Sequence, residues 1–258
     1  MQNALLVGLS RQMSLSHQID IIANNIANID TTGFKADTAA FSEYLGSGAS
    51  DGDFAGKDRR ISFVQDHGTW IDFSPGAMQR TGDPLDAAID GKGYFVVQTP
   101  RGQRYTRNGA FGLNATGQLV TSSGDVVLGT TGPINFQPTD HDIIISTTGV
   151  VSARDCSGTL SVQRGQLQLV DFDNAQQLQK DGASTFQAAS NANQKPIAPG
   201  TRIVQGSIEK SNVHPILEMT RMIGITRSYS DIAAILQQQG DLRRNSLQQL
   251  SQAAGTSG

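Results

Sequence analysis

The chain has 258 residues, of which 37% are hydrophobic, and a formal net charge of −3 at pH 7. That length allows one or two domains with a buried core. The weak negative charge, and a basic run limited to Lys57, Arg59 and Arg60, argue against a nucleic-acid partner, because such binding depends on Lys and Arg neutralising phosphates. Cys156 is the only cysteine, so an intrachain disulfide is excluded.

The N-terminal segment predicts a helix with two apolar stripes. One stripe has the 4-3-4-3 spacing that is typical of the a/d seam of a left-handed coiled coil, and it consists of Leu15, Ile19, Ile22, Ile26 and Ile29. The second stripe consists of Leu6, Leu9 and Met13. Thr31-Thr32-Gly33 should end the helix, with Gly33 supplying a C-cap conformation open mainly to glycine. No A-x-A site follows an apolar core, so a cleaved secretion signal is not expected.

Three amides lie among the apolar residues of this predicted helix: Asn24, Asn25 and Asn28. A buried amide without a partner is unfavourable, so each should find a hydrogen bond. Two interpretations stay open, namely amides that face solvent and amides that fix the register of a helical seam.

Between the terminal segments, short β-branched or aromatic runs alternate with glycine turns, which predicts an antiparallel β domain. The runs are Tyr94–Val97, Leu119–Thr121, Val126–Leu128, Ile143–Ile145 and Leu167–Val170. Asn108-Gly109 is a strong hairpin signal, and Arg101-Gly102 predicts another turn.

The C-terminal segment predicts a second helix, with Asn212 as its N-cap and Pro215 in its first turn. It should run to about Leu250. Alternating spacings of three and four residues mark one face of this helix, which contains Met219, Met222, Thr226, Tyr229, Ala233, Leu236, Leu247 and Leu250. Ile225 and Ile232 widen this apolar stripe.

The predicted fold is therefore α+β, with the two terminal helices paired in a coiled-coil layer and an antiparallel all-β domain inserted between them. The expected domains are a terminal helical assembly domain (1–35 and 208–252), a connector with extended or hairpin segments (36–75), the β domain (76–206) and a tail (253–258). Between Asn3 and Ile29 only Arg11 and Asp20 are charged, although a solvated helix carries charges over its whole outer face. The surplus apolar surface predicts association with further partners.

Several blocks of the sequence resemble, in order, the conserved motifs of flagellar rod and hook proteins. They are Ile22-Ala23-Asn24-Asn25-Ile26-Ala27-Asn28, Thr32-Gly33-Phe34-Lys35, Thr81–Ile89, Gly91–Phe95, Tyr105-Thr106-Arg107-Asn108-Gly109, Gly117–Thr121, Val127–Gly129, Gly132–Ile134, Ser211-Asn212-Val213 and Glu218–Ile223. The opening residues 1–13 are most similar to the proximal-rod members, with the distal-rod members as the alternative. The stretch Gly46 to Arg60 matches no shared block.

This resemblance implies a structural subunit that polymerises helically in the proximal rod of the basal body. Its implied partners are other rod proteins, copies of itself and the flagellar type III export apparatus, with a periplasmic location and no cleaved signal peptide. It implies no cofactor, no small-molecule substrate and no catalysis.

Two other functions compete for the same residues. Asp83, Asp86 and Asp90 are close in sequence, and paired carboxylates can cleave glycosidic bonds, so a cell-wall lytic or glycan-binding β domain is an alternative. Asp83-Pro84 and Asp90-Gly91 are turn signals, which favours turn chemistry. Four histidines without H-x-x-x-H spacing make a metal site a poor prediction.

The terminal helices carry more apolar surface than they can bury against each other, and this generates a first prediction. In dilute monomer the amides of Leu5 to Ile29 should exchange hydrogen quickly, because helices that lack their partners are partly disordered, and exchange should slow on assembly. Hydrogen exchange followed by mass spectrometry measures this. Uniformly slow exchange across the segment in dilute monomer would contradict it.

Overall fold

A computed structural model describes residues 2–47, 60–154, 161–182, 184–189 and 193–255. It contains one long helix near each end, α1 (Gln2–Ala27) and α2 (Pro215–Gly255), with strands between them. The predicted α+β class with a central antiparallel β domain is confirmed. Residues 48–59, with Lys57 and Arg59, and Cys156 lie outside the described residues.

The strands follow one another with short connections, and a single turn of 3₁₀ helix spans Ala175–Gln177. In chain order they are β1 (Asp37–Ser47), β2 (Arg60–Ile71), β3 (Met78–Arg80), β4 (Ala87–Asp90), β5 (Tyr94–Thr99), β6 (Gly102–Thr106), β7 (Phe111–Leu113), β8 (Leu119–Thr121), β9 (Val126–Gly129), β10 (Gly132–Pro133), β11 (His141–Ile145), β12 (Val150–Arg154), β13 (Ser161–Gln166), β14 (Leu169–Phe172), β15 (Leu178–Lys180), β16 (Thr185–Ala188), β17 (Gln194–Lys195), β18 (Arg202–Gln205) and β19 (Ser207–Glu209).

The chain divides into two compact units. The helical unit comprises Met1–Ile26, Asp37–Trp70 and Pro215–Gly258, so it contains α2, nearly all of α1 and the two-stranded sheet of β1 and β2. The β unit comprises Ala27–Ala36 and Ile71–His214. The short segment that follows α1 therefore belongs to the β unit rather than to the helices.

The largest sheet of the β unit has the strand order β15-β16-β6-β5-β9-β8-β7, and all its described pairs are antiparallel. β5 and β6 form a hairpin in which Thr99 pairs with Gly102. Gly102 has φ of +105°, a conformation that side chains strongly disfavour, so the predicted turn at Arg101-Gly102 is confirmed. A separate sheet joins β11, β12 and β13.

β5 lies at the centre of the core because both of its faces are covered. Phe95 and Val97 point into one apolar cluster, which also contains Phe111, Leu119 and Val127. Tyr94 and Val96 point into a second cluster on the opposite face, as the alternation of side chains along a strand requires. This two-sided burial explains the continuous apolar run Tyr94–Val97.

Two local predictions differ from the structure. β6 pairs with β5 and β16 rather than with β7, so Asn108-Gly109 does not close a hairpin. Asn108 Oδ1 instead accepts from the Ala110 amide at 3.0 Å, and the Gly109 carbonyl accepts from the Ala87 amide at 3.0 Å. The dipeptide therefore lies in the segment between β6 and β7 and hydrogen-bonds to β4.

The end of α1 was also predicted too late in the chain. The helix ends at Ala27, so Ile29 lies in the turns that follow it. Gly33 has φ of +69°, as predicted for a glycine-specific position, but it lies six residues beyond the helix and is not its C-cap. A Cβ at Gly33 would lie 2.4 Å from backbone atoms of Arg107 and Asn108, so close packing requires glycine there.

The two-sided core generates a second prediction. Phe95 is fully buried and stacks edge-on against Phe111 at a centroid distance of 5.0 Å. Phe95→Ala should lower the free energy of unfolding by about 3 to 5 kcal/mol, because it leaves a cavity in the core. Leu113→Ala at the surface of β7 is the matched control and should change it by less than about 1 kcal/mol. Denaturant unfolding measures both, and equal losses would contradict the placement of the core.

Candidate assembly surface

The two predicted stripes of α1 differ in exposure. Leu15 and Ile22 are buried, and Ile19 and Ile26 are half-buried. The second stripe is open to solvent, with exposed fractions of 53% at Leu6, 49% at Leu9 and 66% at Met13. α1 therefore presents a continuous apolar face that nothing in the described chain covers.

α2 shows the same division. Its half-buried side chains include Met222, Tyr229, Ile232 and Leu236. Its exposed apolar side chains are Ile216, Leu217, Met219, Ile223, Ile235 and Leu242, each at least 47% exposed. The side chains of Leu247 and Leu250 lie outside the described residues.

The two helices approach each other closely at Gly8. A Cβ added there would lie 2.6 Å from Cδ2 of Leu236, closer than any real contact between carbon atoms. Leu236 therefore packs over the bare backbone of α1 at Gly8, and a larger residue there would displace its side chain. This contact brings together one residue from each predicted helix, while a coiled coil along their full length stays a prediction.

Asn25 joins α1 to the start of β1. Its Oδ1 accepts from the Asp37 amide at 2.9 Å, and its Nδ2 donates to the Asp37 carbonyl at 2.8 Å. Asn25 is 2% exposed, whereas Asn24 is exposed and Asn28 is half-buried and accepts from the Thr31 hydroxyl. Of the three amides, Asn25 is the buried one, and it binds strand backbone rather than another helix.

Within the β unit, the segment after α1 is held by a buried ion pair. Lys35 Nζ donates to Oε1 of Glu209 at 2.6 Å and to the Ser74 carbonyl at 2.7 Å. The same Glu209 oxygen accepts from the Gly76 amide at 2.9 Å. Both charged side chains are 2% exposed. Burial lowers the pKa of the Lys35 ammonium, and the Glu209 carboxylate opposes this shift.

Arg107 completes this network from the other side of Glu209. Its Nη1 lies 3.1 Å from Oε2 of Glu209 and 3.3 Å from the Ile89 carbonyl, and its Nη2 donates to the Gly91 carbonyl at 2.7 Å. We call Lys35, Glu209 and Arg107 the buried charge cluster. It joins three segments that are far apart in sequence, and backbone groups of Ser74, Gly76, Ile89 and Gly91 supply hydrogen bonds to it, whereas Nε of Arg107 is buried without a partner among the described residues.

Asn212 lies three residues before α2 and does not act as its N-cap. Its Oδ1 accepts from the Ala36 amide at 2.7 Å, and its Nδ2 donates to the Asp72 carbonyl at 2.8 Å. The amide is occupied by the β unit, so α2 begins later, at Pro215. Proline suits that first position because the missing N–H has no intrahelical partner there.

From the sequence, Lys35 and Arg107 were named only as members of the motif blocks. Glu209 was not identified as a candidate functional residue. The pairing was not visible, because Lys35 and Glu209 are 174 positions apart. No periodicity connects residues at that separation. The available signal was that Lys35 and Arg107 are the charged residues of two of the motif blocks, Thr32–Lys35 and Tyr105–Gly109.

A cell-wall lytic β domain would use Asp83, Asp86 and Asp90, but the first two accept hydrogen bonds within a turn. Asp83 Oδ1 accepts from the Leu85 amide at 2.9 Å, and Asp86 Oδ2 accepts from the Thr81 hydroxyl at 2.6 Å. Asp90 is exposed at the end of β4. Among the described residues, no group of three or more His, Cys, Asp or Glu is placed to hold a metal ion. No helix in the described part of the chain is long and apolar enough to span a membrane.

Three family models match the chain in the order that the fold suggests. Residues 5–35 match the flagella basal body rod protein model. Residues 88–153 match the D1 domain of the flagellar hook proteins FlgE/F/G, and residues 204–250 match the C-terminal model of the flagellar basal body rod FlgEFG proteins. The three matches cover α1, the central strands and most of α2.

Known relatives match over nearly the full chain. The flagellar basal-body rod protein FlgF of Caulobacter vibrioides is 38% identical over 251 residues, which cover 97% of this chain and 98% of the relative. FlgF of Mesorhizobium japonicum is 33% identical, covering 92% and 93%. The basal-body rod protein FlgG of Bacillus subtilis is 35% identical, covering 92% and 94%.

The helical ends, the central β unit and these matches define an axial structural protein rather than an enzyme. The chain belongs to the flagellar basal-body rod family, with its similarity to FlgF favoured over that to FlgG. It is a structural subunit of the rod and assembles with other rod proteins in the basal body.

The buried charge cluster generates a third prediction. Glu209→Leu leaves Lys35 and Arg107 buried without a counter-charge, so it should lower the free energy of unfolding by about 3 to 5 kcal/mol. Adding Lys35→Met should restore part of that loss, because it removes one unpaired charge. Arg154→Ala, which breaks an exposed ion pair to Asp142, is the control and should change stability by about 0 to 1 kcal/mol. Denaturant unfolding decides, and a Glu209→Leu effect no larger than that control would contradict the role of the cluster.

Proposed function

We propose that this rod subunit polymerises helically through its terminal helices, and that it does so in the proximal part of the rod. The observation that carries the proposal is the exposed apolar face of the helices, from Leu6, Leu9 and Met13 on α1 to Ile223, Ile235 and Leu242 on α2. Exposed contiguous apolar surface of this kind usually marks an association site.

The geometry supports two kinds of contact for these helices. The half-buried residues of the two helices, with Leu236 against Gly8, support pairing of α1 with α2 in one subunit, extended as a coiled coil. The exposed residues are left for neighbouring subunits. If the neighbours meet through different patches, the contact is heterologous, and it generates a helical tube when successive rotations do not close into a ring.

The proximal position rests on the similarity of residues 1–13 to proximal-rod members and on the FlgF relatives. Export through the flagellar type III apparatus without a cleaved signal, and a final place in the periplasm, complete the proposal. The assembly residues are then Leu9, Met13, Leu15, Ile19, Ile22, Asn24, Asn25, Ile26, Asn28, Ile29, Met219, Met222, Tyr229, Ile232, Leu236, Leu247 and Leu250. Gly33, Asn108, Gly109 and Asn212 serve the β unit as turn and backbone-binding residues.

Charge substitution on the exposed face is the fourth prediction. Ile223→Asp should abolish motility and incorporation into the rod while the subunit stays folded, because every interface in the polymer would bury an unpaired carboxylate at several kcal/mol. Ser123→Asp, exposed in the turn between β8 and β9 and outside both helices, is the control and should swim normally. Ile26→Asp and Leu236→Asp should also abolish assembly, because each places a charge among the half-buried residues that are proposed to pair the two helices.

The measurements are swimming in soft agar and recovery of intact basal bodies from a strain that has only the variant gene. Asp86→Ala should assemble, with at most a small loss of stability from its turn. Normal motility with Ile223→Asp, or loss of motility with a folded and incorporated Asp86→Ala, would overturn the proposal.

A further inference from the structure

The helical unit contains a cleft between α1, the start of β1 and the start of α2. Its apolar walls are formed by Ile21, Ile22 and Ile225, and Thr38 lies at its β1 side. The cleft has a volume of about 220 Å³. Since one water molecule takes up about 30 Å³ of the liquid, the cleft has room for a side chain rather than for a single water or ion.

One end of the cleft carries a carboxylate with spare hydrogen-bonding capacity. Glu218 Oε1 accepts from Arg221 Nη1 at 2.8 Å, and the Glu218 side chain is 8% exposed. No hydrogen bond to its other oxygen, Oε2, is made by a described residue. A carboxylate has about four acceptor positions, so Glu218 can accept a further hydrogen bond from a group that enters the cleft. The cleft therefore suits an apolar group that also donates a hydrogen bond.

The same unit exposes a side chain with those two properties. Trp70, the only tryptophan of the chain, is 58% exposed at the end of β2. The other exposed large apolar side chains described in the helical unit are Leu, Ile and Met, none of which carries a donor. The indole ring combines a large apolar surface with one N–H, and tryptophan is enriched among the residues that dominate protein interfaces.

We propose that Trp70 of one copy inserts into this cleft of a second copy, with its ring against Ile21, Ile22 and Ile225 and its indole N–H donating to Glu218. Because the inserted residue and the cleft are different parts of the same unit, each copy offers both, and the contact can repeat from one copy to the next. A leucine or methionine in the cleft would remove water from the Glu218 carboxylate and give no donor in return. The inference rests on the proposed self-association and adds a specific contact to it.

Cross-linking in assembled basal bodies tests the contact with Trp70 left in place. In a Cys156→Ser background, one gene carries Thr69→Cys beside the tryptophan and a second gene carries Thr38→Cys at the cleft, and both positions are exposed. A short bismaleimide should join the two chains into a covalent dimer. Replacing Thr38→Cys by Ser246→Cys, exposed about 30 Å further along α2 than the cleft, is the control and should give no dimer.

Substitution at the anchor gives an independent measurement. Trp70→Ala should weaken association of the purified full chain about thirty-fold, the factor that corresponds to the ~2 kcal/mol typical of a dominant interface residue. The association affinity of Trp70→Phe should lie between those of the unaltered chain and Trp70→Ala, because phenylalanine keeps an aromatic ring and lacks the N–H. Both variants should unfold at the same denaturant concentration as the unaltered chain, since the side chain is exposed. In the unaltered chain, acrylamide quenching of the single tryptophan should fall as association proceeds.

The outcomes separate this contact from self-association itself. A chain that enters basal bodies and associates, yet gives no Thr69–Thr38 dimer and keeps its tryptophan open to acrylamide, overturns the Trp70 contact and leaves the proposed function standing. A chain that neither associates when purified nor cross-links to any copy of itself in basal bodies overturns both.

Discussion

The buried charge cluster is the constraint on which the rest of the β unit depends. Glu209 is at the end of β19, Arg107 follows β6, and Lys35 follows α1, so one carboxylate connects the beginning, middle and end of the chain. Buried ions are tolerated only when they are paired and hydrogen-bonded, and here backbone groups of Ser74, Gly76, Ile89 and Gly91 complete the pairing.

The close packing around the cluster explains why so many sequence blocks meet there. Gly33 packs against the Arg107–Asn108 backbone, and a Cβ at Gly109 would lie 1.7 Å from the Ala87 carbonyl oxygen. Gly76 is equally tight, at 1.9 Å from the Lys210 carbonyl oxygen. A larger residue at any of these positions would push apart segments that the charges hold together. Short-range motifs in the sequence are therefore parts of one long-range structure.

The sequence predicted the parts of the fold that local chemistry determines. Glycine turns and β-branched runs located the central strands, and the apolar spacing located both helices. Asn108-Gly109 was misassigned because tertiary pairing with β4 and β16 overrides the local preference for a hairpin. The early end of α1 follows from contacts of Gly33 and Lys35 with Glu209, which no local pattern contains. The apolar faces were predictable from the shortage of charge, whereas Glu218 and Trp70 became candidates only when their burial and exposure were known.

Asn25 has a consequence for how the chain avoids unwanted association. In a strand, the N–H and C=O of one residue point to the same side, and a neighbouring strand uses both. Asn25 occupies both groups of Asp37 with a single side-chain amide, so it takes the place that the first residue of an incoming strand would fill. Exposed strand edges are templates for edge-to-edge aggregation, and proteins block them in various ways. This rod subunit thus closes, with one amide, the point at which β1 would otherwise begin to pair with a strand of another chain.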